Sequence, residues 1–311
     1  MARASPIRRT SATRKETAIA TEAFTPEAPP RARRSLWQRI ALWLLLIALL
    51  LMALVYAGAS AYLWSRQESL LFRPVPLAAD HVLARAPDVR EVTVPVPGAH
   101  LSVLRLTRPG ARGVVFYLHG NSGNLERWFA EADFYRQAGF DLVMMDYRGF
   151  GKSTGRLQNQ EQLLEDVRAV WRAVAPDYVG RRIVIAGRSL GTGLAARLSS
   201  ELTAAGAPAD LTVLVSPYTS MVAMALRQYP WVPGFLLRYP LPTAEWLEQV
   251  GGPVLIVHGD ADALIPLSHA QELKERVPRA QLVVVPGATH SSIESHDGRF
   301  HQVMGAALAA L

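Results

Sequence analysis

Residues 182–193 read RIVIAGRSLGTG, an apolar run that turns abruptly into small residues. Ile183 to Ala186 are β-branched or small and predict a buried strand, and the small residues at the end of the stretch predict a helix. Between them lies the pattern Gly-x-Ser-x-Gly, in which Gly187 and Gly191 permit a tight strand-to-helix turn that a side chain would obstruct. The turn presents the Ser189 hydroxyl near the positive end of the helix dipole. This is the sequence of a nucleophile elbow.

Strands and helices alternate on both sides of this element. Period-two runs predict a hairpin (91–96 and 101–106), apolar runs predict further strands (113–118, 141–145, 211–215, 254–257 and 282–285), and longer periodic runs predict helices (125–138, 161–174 and 194–202). Apolar strands that alternate with helices predict an α/β fold, with a mostly parallel sheet covered by helices on both faces. Loops at the carboxyl ends of such strands meet at one edge of the sheet.

Two of these loops carry partners for Ser189. The sequence HGDAD (258–262) follows one predicted strand, and its two carboxylates, Asp260 and Asp262, are both candidates to orient a histidine. The sequence GATH follows the last predicted strand and ends at His290. A histidine at this position is placed to act as the general base for the serine.

The loop HGNSGN (119–124) directly follows the strand at 113–118. The backbone amide of Asn121, together with that of Leu190 after the serine, is expected to form an oxyanion hole. The loop also suits an ordinary strand-to-helix connection in which Ser122 or Asn124 caps the next helix. The two interpretations are compatible.

Four motifs together make residues 67–311 resemble the α/β-hydrolase superfamily: LHGNSGN (118–124), DYRGFGKSTG (146–155), GRSLGTG (187–193) and HGDADALIP (258–266). The chain looks like the small membrane-anchored serine hydrolases whose eukaryotic relatives include protein depalmitoylases. The resemblance implies that Ser189 is the nucleophile and His290 the base. The family pattern H-G-x-x-D matches Asp262 rather than Asp260, and the first oxyanion donor maps to Asn121.

The sequence also suggests roles for the DYRGFG loop (146–151) and for residues 216–250. The DYRGFG loop is expected to be structural, with Asp146 and Arg148 paired. Residues 216–250 follow the sixth predicted strand and are expected to form a short cap over the site. Apolar cap residues suited to an acyl chain are candidates for the substrate pocket, with plain core packing as the alternative: Met221, Met224, Tyr229 and Trp231.

The N-terminal part has a different composition. Residues 1–35 are rich in Ala, Arg, Thr and Pro and predict a disordered basic tail. Residues 40–63 carry no charge, and at about 1.5 Å per residue they suffice to span ~30 Å of hydrocarbon. We therefore predict a transmembrane helix in residues 36–65 and a catalytic domain in residues 66–311. A cleaved signal peptide is the alternative, because Ala57-Gly58-Ala59 and Ala59-Ser60-Ala61 both resemble cleavage sites.

Charge gives an orientation for this helix. Four arginines lie shortly before the apolar run and two lie shortly after it: Arg31, Arg33, Arg34 and Arg39, against Arg66 and Arg73. This excess predicts that the tail is cytoplasmic and the domain extracytoplasmic, or periplasmic in a bacterium. Residues 1–39 hold nine basic and three acidic side chains, which is six of the seven net positive charges. The nearly neutral remainder is not expected to bind nucleic acid.

These features predict a serine hydrolase that cleaves carboxylic esters or thioesters through an acyl-enzyme, without a metal or organic cofactor. The chain contains no cysteine, which excludes disulfides, thiol nucleophiles and cysteine metal sites. A peptidase is the nearest alternative, because the same three residues can cleave amides. An alternative of a different class is a membrane-tethered binding protein that has kept the fold and lost catalysis.

Overall fold

An eight-stranded sheet positions the loops that carry the predicted site. The computed structural model describes residues 35–311, so the predicted basic tail lies outside the described residues except for Ser35. The strands are β1 (Val89–Val96), β2 (Ala99–Leu106), β3 (Gly113–Leu118), β4 (Asp141–Met145), β5 (Arg182–Arg188), β6 (Leu211–Val215), β7 (Val254–Gly259) and β8 (Gln281–Val285). Their spatial order is β8-β7-β6-β5-β3-β4-β2-β1. Only β2 runs antiparallel to its neighbours, β1 and β4, so the sheet is mostly parallel as predicted.

Helices cover both faces of this sheet. After the N-terminal helix α1 (Leu36–Leu71), they are α2 (Leu125–Trp128), α3 (Ala132–Ala138), α4 (Gln160–Val174), α5 (Leu190–Ala204), α6 (Met221–Gln228), α7 (Thr243–Glu248), α8 (Leu267–Arg276) and α9 (Arg299–Ala309). Alternate strand residues face opposite cores, so that Phe116 packs with α4 and α5 while the adjacent Tyr117 packs with α3 and α9. The central strands are therefore mostly apolar on both faces.

The helix predicted over residues 125–138 is interrupted. A 3₁₀ turn (Phe129–Glu131) separates α2 from α3. The Trp128 indole donates a hydrogen bond to Ser122 O over 2.7 Å, which ties the end of α2 to the preceding loop. Gly139, with φ 84°, then ends α3 in a left-handed conformation. The sequence indicated helical periodicity correctly but contained no clear signal for the break.

The cap follows the sixth strand, as predicted. Between β6 and β7 the chain forms α6, a 3₁₀ turn (Gly234–Leu236) and α7. Ser220 begins α6, because its hydroxyl accepts a hydrogen bond from the Ala223 amide over 3.0 Å. The cap is thus short, and helical turns and irregular chain make up similar shares of it.

Helix α1 runs past the expected end of the membrane segment at residue 65 and continues to Leu71. Its most apolar 18-residue window has a mean hydropathy of 2.8, and in the part of the chain that the structure covers it is the one candidate membrane span. Residues 56–311 form one compact unit, so the C-terminal part of α1 belongs to the domain. Residues 67–71, which follow the predicted membrane segment, are therefore helical.

The turn between β5 and α5 depends on the absence of side chains at its two glycines. A Cβ added to Gly191 would overlap Leu118 O at the end of β3, and a Cβ added to Gly187 would overlap Gly191 O. Both overlaps are with backbone atoms, which cannot move without displacing a central strand. Glycine at these positions allows α5 to start directly against the sheet.

We expect Gly191→Ala to lower the free energy of unfolding by about 3 kcal/mol, since overpacking against backbone lies at the costly end of such substitutions. In a domain of this size that corresponds to a fall in Tm of about 6–12 °C, measurable by circular dichroism in detergent. Gly305→Ala, within α9, is the matched control. Its added Cβ would lie 3.9 Å from the Phe134 side chain, which is an ordinary van der Waals contact. Equal melting temperatures for the two variants would contradict this account of the turn.

Candidate active site

Ser189 lies where β5 ends and α5 begins. Its backbone has φ 52° and ψ −118°, which residues other than glycine rarely adopt. Hydrogen bonds hold it there: the amide donates to Val215 O over 2.9 Å, and the carbonyl accepts from the amide and hydroxyl of Thr192 over 2.9 and 2.6 Å. The surrounding structure therefore fixes the strained turn and the position of the serine side chain.

The imidazole of His290 lies between the hydroxyl of Ser189 and the carboxylate of Asp262. Its Nε2 is 3.0 Å from Ser189 Oγ, and its Nδ1 is 2.7 Å from Asp262 Oδ2. The three residues follow β5, β7 and β8, whose carboxyl ends meet at one edge of the sheet. The structure thus brings the three predicted residues within hydrogen-bond distance of one another.

The two candidate acids have different contacts. Asp262 Oδ1 accepts hydrogen bonds from the amides of Leu264 and Ile265 over 3.0 and 2.8 Å, while Oδ2 faces the imidazole. Asp260 is exposed and accepts from the Gly287 amide over 2.6 Å. Asp260 therefore fastens the loop that carries the histidine, and Asp262 contacts the imidazole itself.

The two predicted oxyanion donors lie beside Ser189. Leu190 is the first residue of α5, so its amide has no intrahelical acceptor. Asn121 follows Gly120, which is so near that an added Cβ would lie 3.6 Å from Ser189 Cβ. The Asn121 side chain donates to Leu71 O over 2.7 Å and holds the loop in place. Among the described residues neither backbone amide donates to a protein acceptor, which leaves both free to bind an anionic oxygen.

A cavity of about 330 Å³ contains Ser189, His290 and Asn121 in its walls. Aromatic and charged side chains supply much of the remaining lining: Tyr117, Trp128, Phe134, Tyr135 and Phe300, with Arg73, Arg127, Arg188, Glu131 and Glu294. The cavity therefore offers both apolar surface and charged groups to a substrate held at the serine.

Comparison with known proteins identifies the family. A family model described as serine aminopeptidase, S33, matches residues 109–251, and one described as TAP-like protein matches residues 238–304. An uncharacterized protein of Mycobacterium tuberculosis is 30% identical over 80% of this chain and 89% of that protein. The chain belongs to the α/β-hydrolase superfamily. Alpha/beta hydrolase domain-containing protein 17C of Xenopus tropicalis is 31% identical over 60% of this chain and 58% of its own length.

The same fold occurs in solved structures. The Pyrococcus furiosus esterase Pf2001 superposes with a TM-score of 0.60 at 21% identity, over 77% of this chain and 97% of that one. Together with the family models, this confirms the predicted α/β-hydrolase fold and shows that the chain is a hydrolase of this superfamily.

Sequence reasoning missed Arg188, which stands between the first glycine of the elbow and Ser189. Arg188 is 3% exposed, and it contributes to the cavity wall. Nη2 donates to the carbonyl of His290, and Nε lies 3.8 Å from Glu294 Oε1. Nε and Nη1 have no hydrogen-bond partner within residues 35–311. In the sequence, the signal that could have indicated Arg188 is its charge at the end of an otherwise apolar run. Arg188 thus holds the backbone of the residue that contacts the serine.

The expected pair between Asp146 and Arg148 is wrong. Arg148 instead forms a buried bidentate ion pair with Asp166 of α4, over 2.6 and 2.8 Å. Asp146 accepts a hydrogen bond from the Leu125 amide over 3.0 Å at the start of α2. The Arg148 guanidinium thus binds α4, and the Asp146 carboxylate accepts a hydrogen bond at the N-terminus of α2, where a negative charge is favourable. Both residues remain structural, as expected.

The predicted pocket residues do not line the Ser189 cavity. Met221, Met224 and Tyr229 line a second, largely apolar cavity of about 210 Å³, whose other walls include Leu63 and Leu71 of α1. Trp231 instead packs against α1, where its ring lies 6.0 Å from that of Tyr56. The correction follows from α1 extending beside the cap, which sequence periodicity did not reveal. The residues that line the serine cavity come mainly from the loops after β3, β5 and β8 and from α3 and α9.

Opposing effects act on the pKa of Asp262. Burial raises it, while hydrogen bonds from His290 and from the Ile265 amide lower it, and the lowering dominates. The side chain is therefore an ionised carboxylate near neutral pH.

Burial lowers the pKa of the neighbouring His258, whose Nε2 lies 2.8 Å from Ile265 O, so this second histidine is neutral and structural. Within the described residues no group of three or more His, Asp or Glu side chains could hold a metal ion.

The lowered pKa of Asp262 predicts how stability depends on pH. Since the folded-state pKa lies below the unfolded value of about 3.9, the ionised carboxylate stabilises the fold above that pH. This contribution is lost as the pH falls through the folded-state pKa. The difference in Tm between the wild type and Asp262→Asn should therefore shrink between pH 5 and pH 3. Thermal melting at each pH measures it, and a constant or growing difference would contradict the sign.

Proposed function

We propose that this protein is a membrane-anchored serine hydrolase that cleaves carboxylic esters or thioesters through an acyl-enzyme. The observation that carries the proposal is the contact of His290 Nε2 with Ser189 Oγ over 3.0 Å and of His290 Nδ1 with Asp262 Oδ2 over 2.7 Å. A nucleophile, a base and an orienting acid in this arrangement supply each proton transfer that acyl transfer needs.

In the proposed reaction His290 Nε2 takes the proton of Ser189, and Oγ attacks the acyl carbon. The amides of Asn121 and Leu190 stabilise the oxyanion. The imidazolium, stabilised by the ionised carboxylate of Asp262, then gives its proton to the leaving alcohol or thiol. Water repeats the sequence on the acyl-enzyme and releases the acid, which returns the serine to its original state.

Support for esters and thioesters comes from the resemblance to membrane-anchored hydrolases and from the fold shared with the esterase Pf2001. The family model described as serine aminopeptidase favours a peptidase as the second candidate. Glu131 and Glu294 in the cavity wall are carboxylates that could bind the ammonium group of a peptide N-terminus. Parallel assays with p-nitrophenyl esters and with aminoacyl-p-nitroanilides distinguish the two candidates.

Helix α1 supports membrane anchoring through its length and hydropathy. The excess of arginine before the apolar run supports a cytoplasmic N-terminus and an extracytoplasmic domain. An uncleaved anchor is favoured over a signal peptide because Tyr56, which precedes both candidate cleavage sites, donates a hydrogen bond to Trp231 O over 3.1 Å. Cleavage would remove this contact from the mature chain.

Ser189→Ala is expected to abolish turnover of short p-nitrophenyl esters, lowering kcat by several orders of magnitude, because no other group replaces the nucleophile. The measurement compares initial rates for the full chain in detergent, with the Tm of both proteins as the folding control. Retained hydrolysis would exclude the serine mechanism. If the wild type itself turns over no ester or amide while a ligand still raises its Tm, a non-catalytic binding protein is the better account.

The two neighbouring aspartates provide a matched test of the acid. Asp262→Asn should lower kcat by about 10⁴-fold, because an amide at this position favours the wrong imidazole tautomer. Asp260→Asn should retain most of the activity, since an amide oxygen can still accept from the Gly287 amide. Rate measurements on both variants decide the assignment, and the reverse ranking would transfer the role to Asp260.

A further inference from the structure

The cap is fastened to the C-terminal part of α1 by specific polar contacts. The side chain of Gln67 donates to Leu236 O over 2.7 Å and accepts from the Arg238 amide over 2.8 Å. Arg238 also pairs with Glu68 over 2.8 Å, and its guanidinium lies 4.0 Å from the centre of the Trp64 ring. These contacts fix the position of the cap along the axis of α1.

One contact lies further toward the interior of the apolar run. The Tyr56 hydroxyl donates to Trp231 O over 3.1 Å, and the two rings lie 6.0 Å apart in an edge-to-face arrangement. Tyr56 belongs to the uncharged run 40–63 and precedes its last residue, Leu63, by seven positions. At about 1.5 Å per residue, Tyr56 lies ~10 Å inside the end of the run.

This distance places part of the cap at membrane depth. A run of 24 residues is about 36 Å long and exceeds a hydrocarbon layer of ~30 Å by only a few ångströms at each end. With the run centred in the bilayer, Tyr56 lies roughly 7 Å below the hydrocarbon edge. The cap residue in contact with it, Trp231, then lies at or below that edge rather than in water.

The surface of the cap has the composition that this depth requires. We call residues 226–237 the cap segment. Its only charged residue is Arg227, and apart from Arg227 and Gln228 its exposed residues are apolar: Phe235 is 85% exposed, Trp231 45% and Leu226 39%. In water, exposed apolar surface of this kind costs about 25 cal/mol per Å². At a bilayer interface, by contrast, Trp is favoured and the flanking arginines can reach the headgroups.

From these observations we infer that the cap segment is a second membrane contact, which inserts Trp231 and Phe235 into the bilayer beside α1. The partner is the lipid bilayer itself, and the contact holds the domain at a defined height above the membrane. The inference rests on the proposed anchoring by α1 and is independent of the proposed hydrolytic chemistry. It also explains why the second cavity, between α1 and α6, has mainly apolar walls.

The absence of native cysteine permits a direct test with single-cysteine variants of the full chain. Phe235→Cys and Leu226→Cys report on the cap segment, and Leu50→Cys reports on α1. Val179→Cys is the matched control, because Val179 is an apolar residue that is 84% exposed just before the amino end of β5. Each variant is nitroxide-labelled and placed in phosphatidylcholine–phosphatidylglycerol liposomes. Electron paramagnetic resonance then measures accessibility to oxygen, which partitions into lipid, and to a water-soluble nickel chelate.

Labels at positions 235 and 226 should show an oxygen-to-nickel accessibility ratio several-fold higher than the label at 179, and the label at 50 should show a similarly high ratio. Thermal melting of each labelled protein confirms that it is folded, and either cap position suffices if the other variant fails to fold. A lipid-like ratio at 50 with a water-like ratio at both cap positions would overturn the inference and leave the anchor intact. A water-like ratio at 50 would overturn the anchoring proposal, and this inference with it.

Discussion

The strained backbone of Ser189 is the constraint on which the rest of the structure depends. A positive φ at a serine persists only where neighbouring groups determine it, and here they are Val215 in the adjacent strand and Thr192 in the first turn of α5. The helix can start this close to the sheet because Gly187 and Gly191 have no Cβ. The central strands β5 and β6 are mostly apolar and buried on both faces, so the part of the sheet that supports the turn is rigid. The hydrogen bonds to Val215 and Thr192 therefore maintain the strained backbone and keep the serine hydroxyl at the sheet edge.

The histidine opposite it is held by contacts on several sides. Asp262 fixes the imidazole through Nδ1, Asp260 ties down the amide of Gly287 at the start of the same loop, and Arg188 donates to the carbonyl of His290. All three anchors are charged side chains, and none of them hydrogen-bonds to the hydroxyl of Ser189. The geometry of the site thus depends on the sheet edge as a whole and not only on the three residues that meet there.

Much of this arrangement could be predicted from the sequence, because the signals were local. Apolar runs ending in Gly-x-Ser-x-Gly, H-G-x-x-D and GATH placed Ser189, Asp262 and His290 at strand ends, and parallel strands bring such ends together. What failed depended on contacts between distant segments. Arg148 pairs with Asp166 rather than Asp146, and the cap residues Met221 and Met224 face α1 rather than the serine. No period or motif in a single sequence encodes which helix will cover a short cap.

The most direct test of the central claim is to map where the full chain reacts with a fluorophosphonate, using peptide mass spectrometry. We expect one adduct, on Ser189, whose formation is strongly slowed in His290→Gln because the base that activates the hydroxyl is gone. An adduct on another serine, or labelling of Ser189 at the same rate without His290, would contradict it.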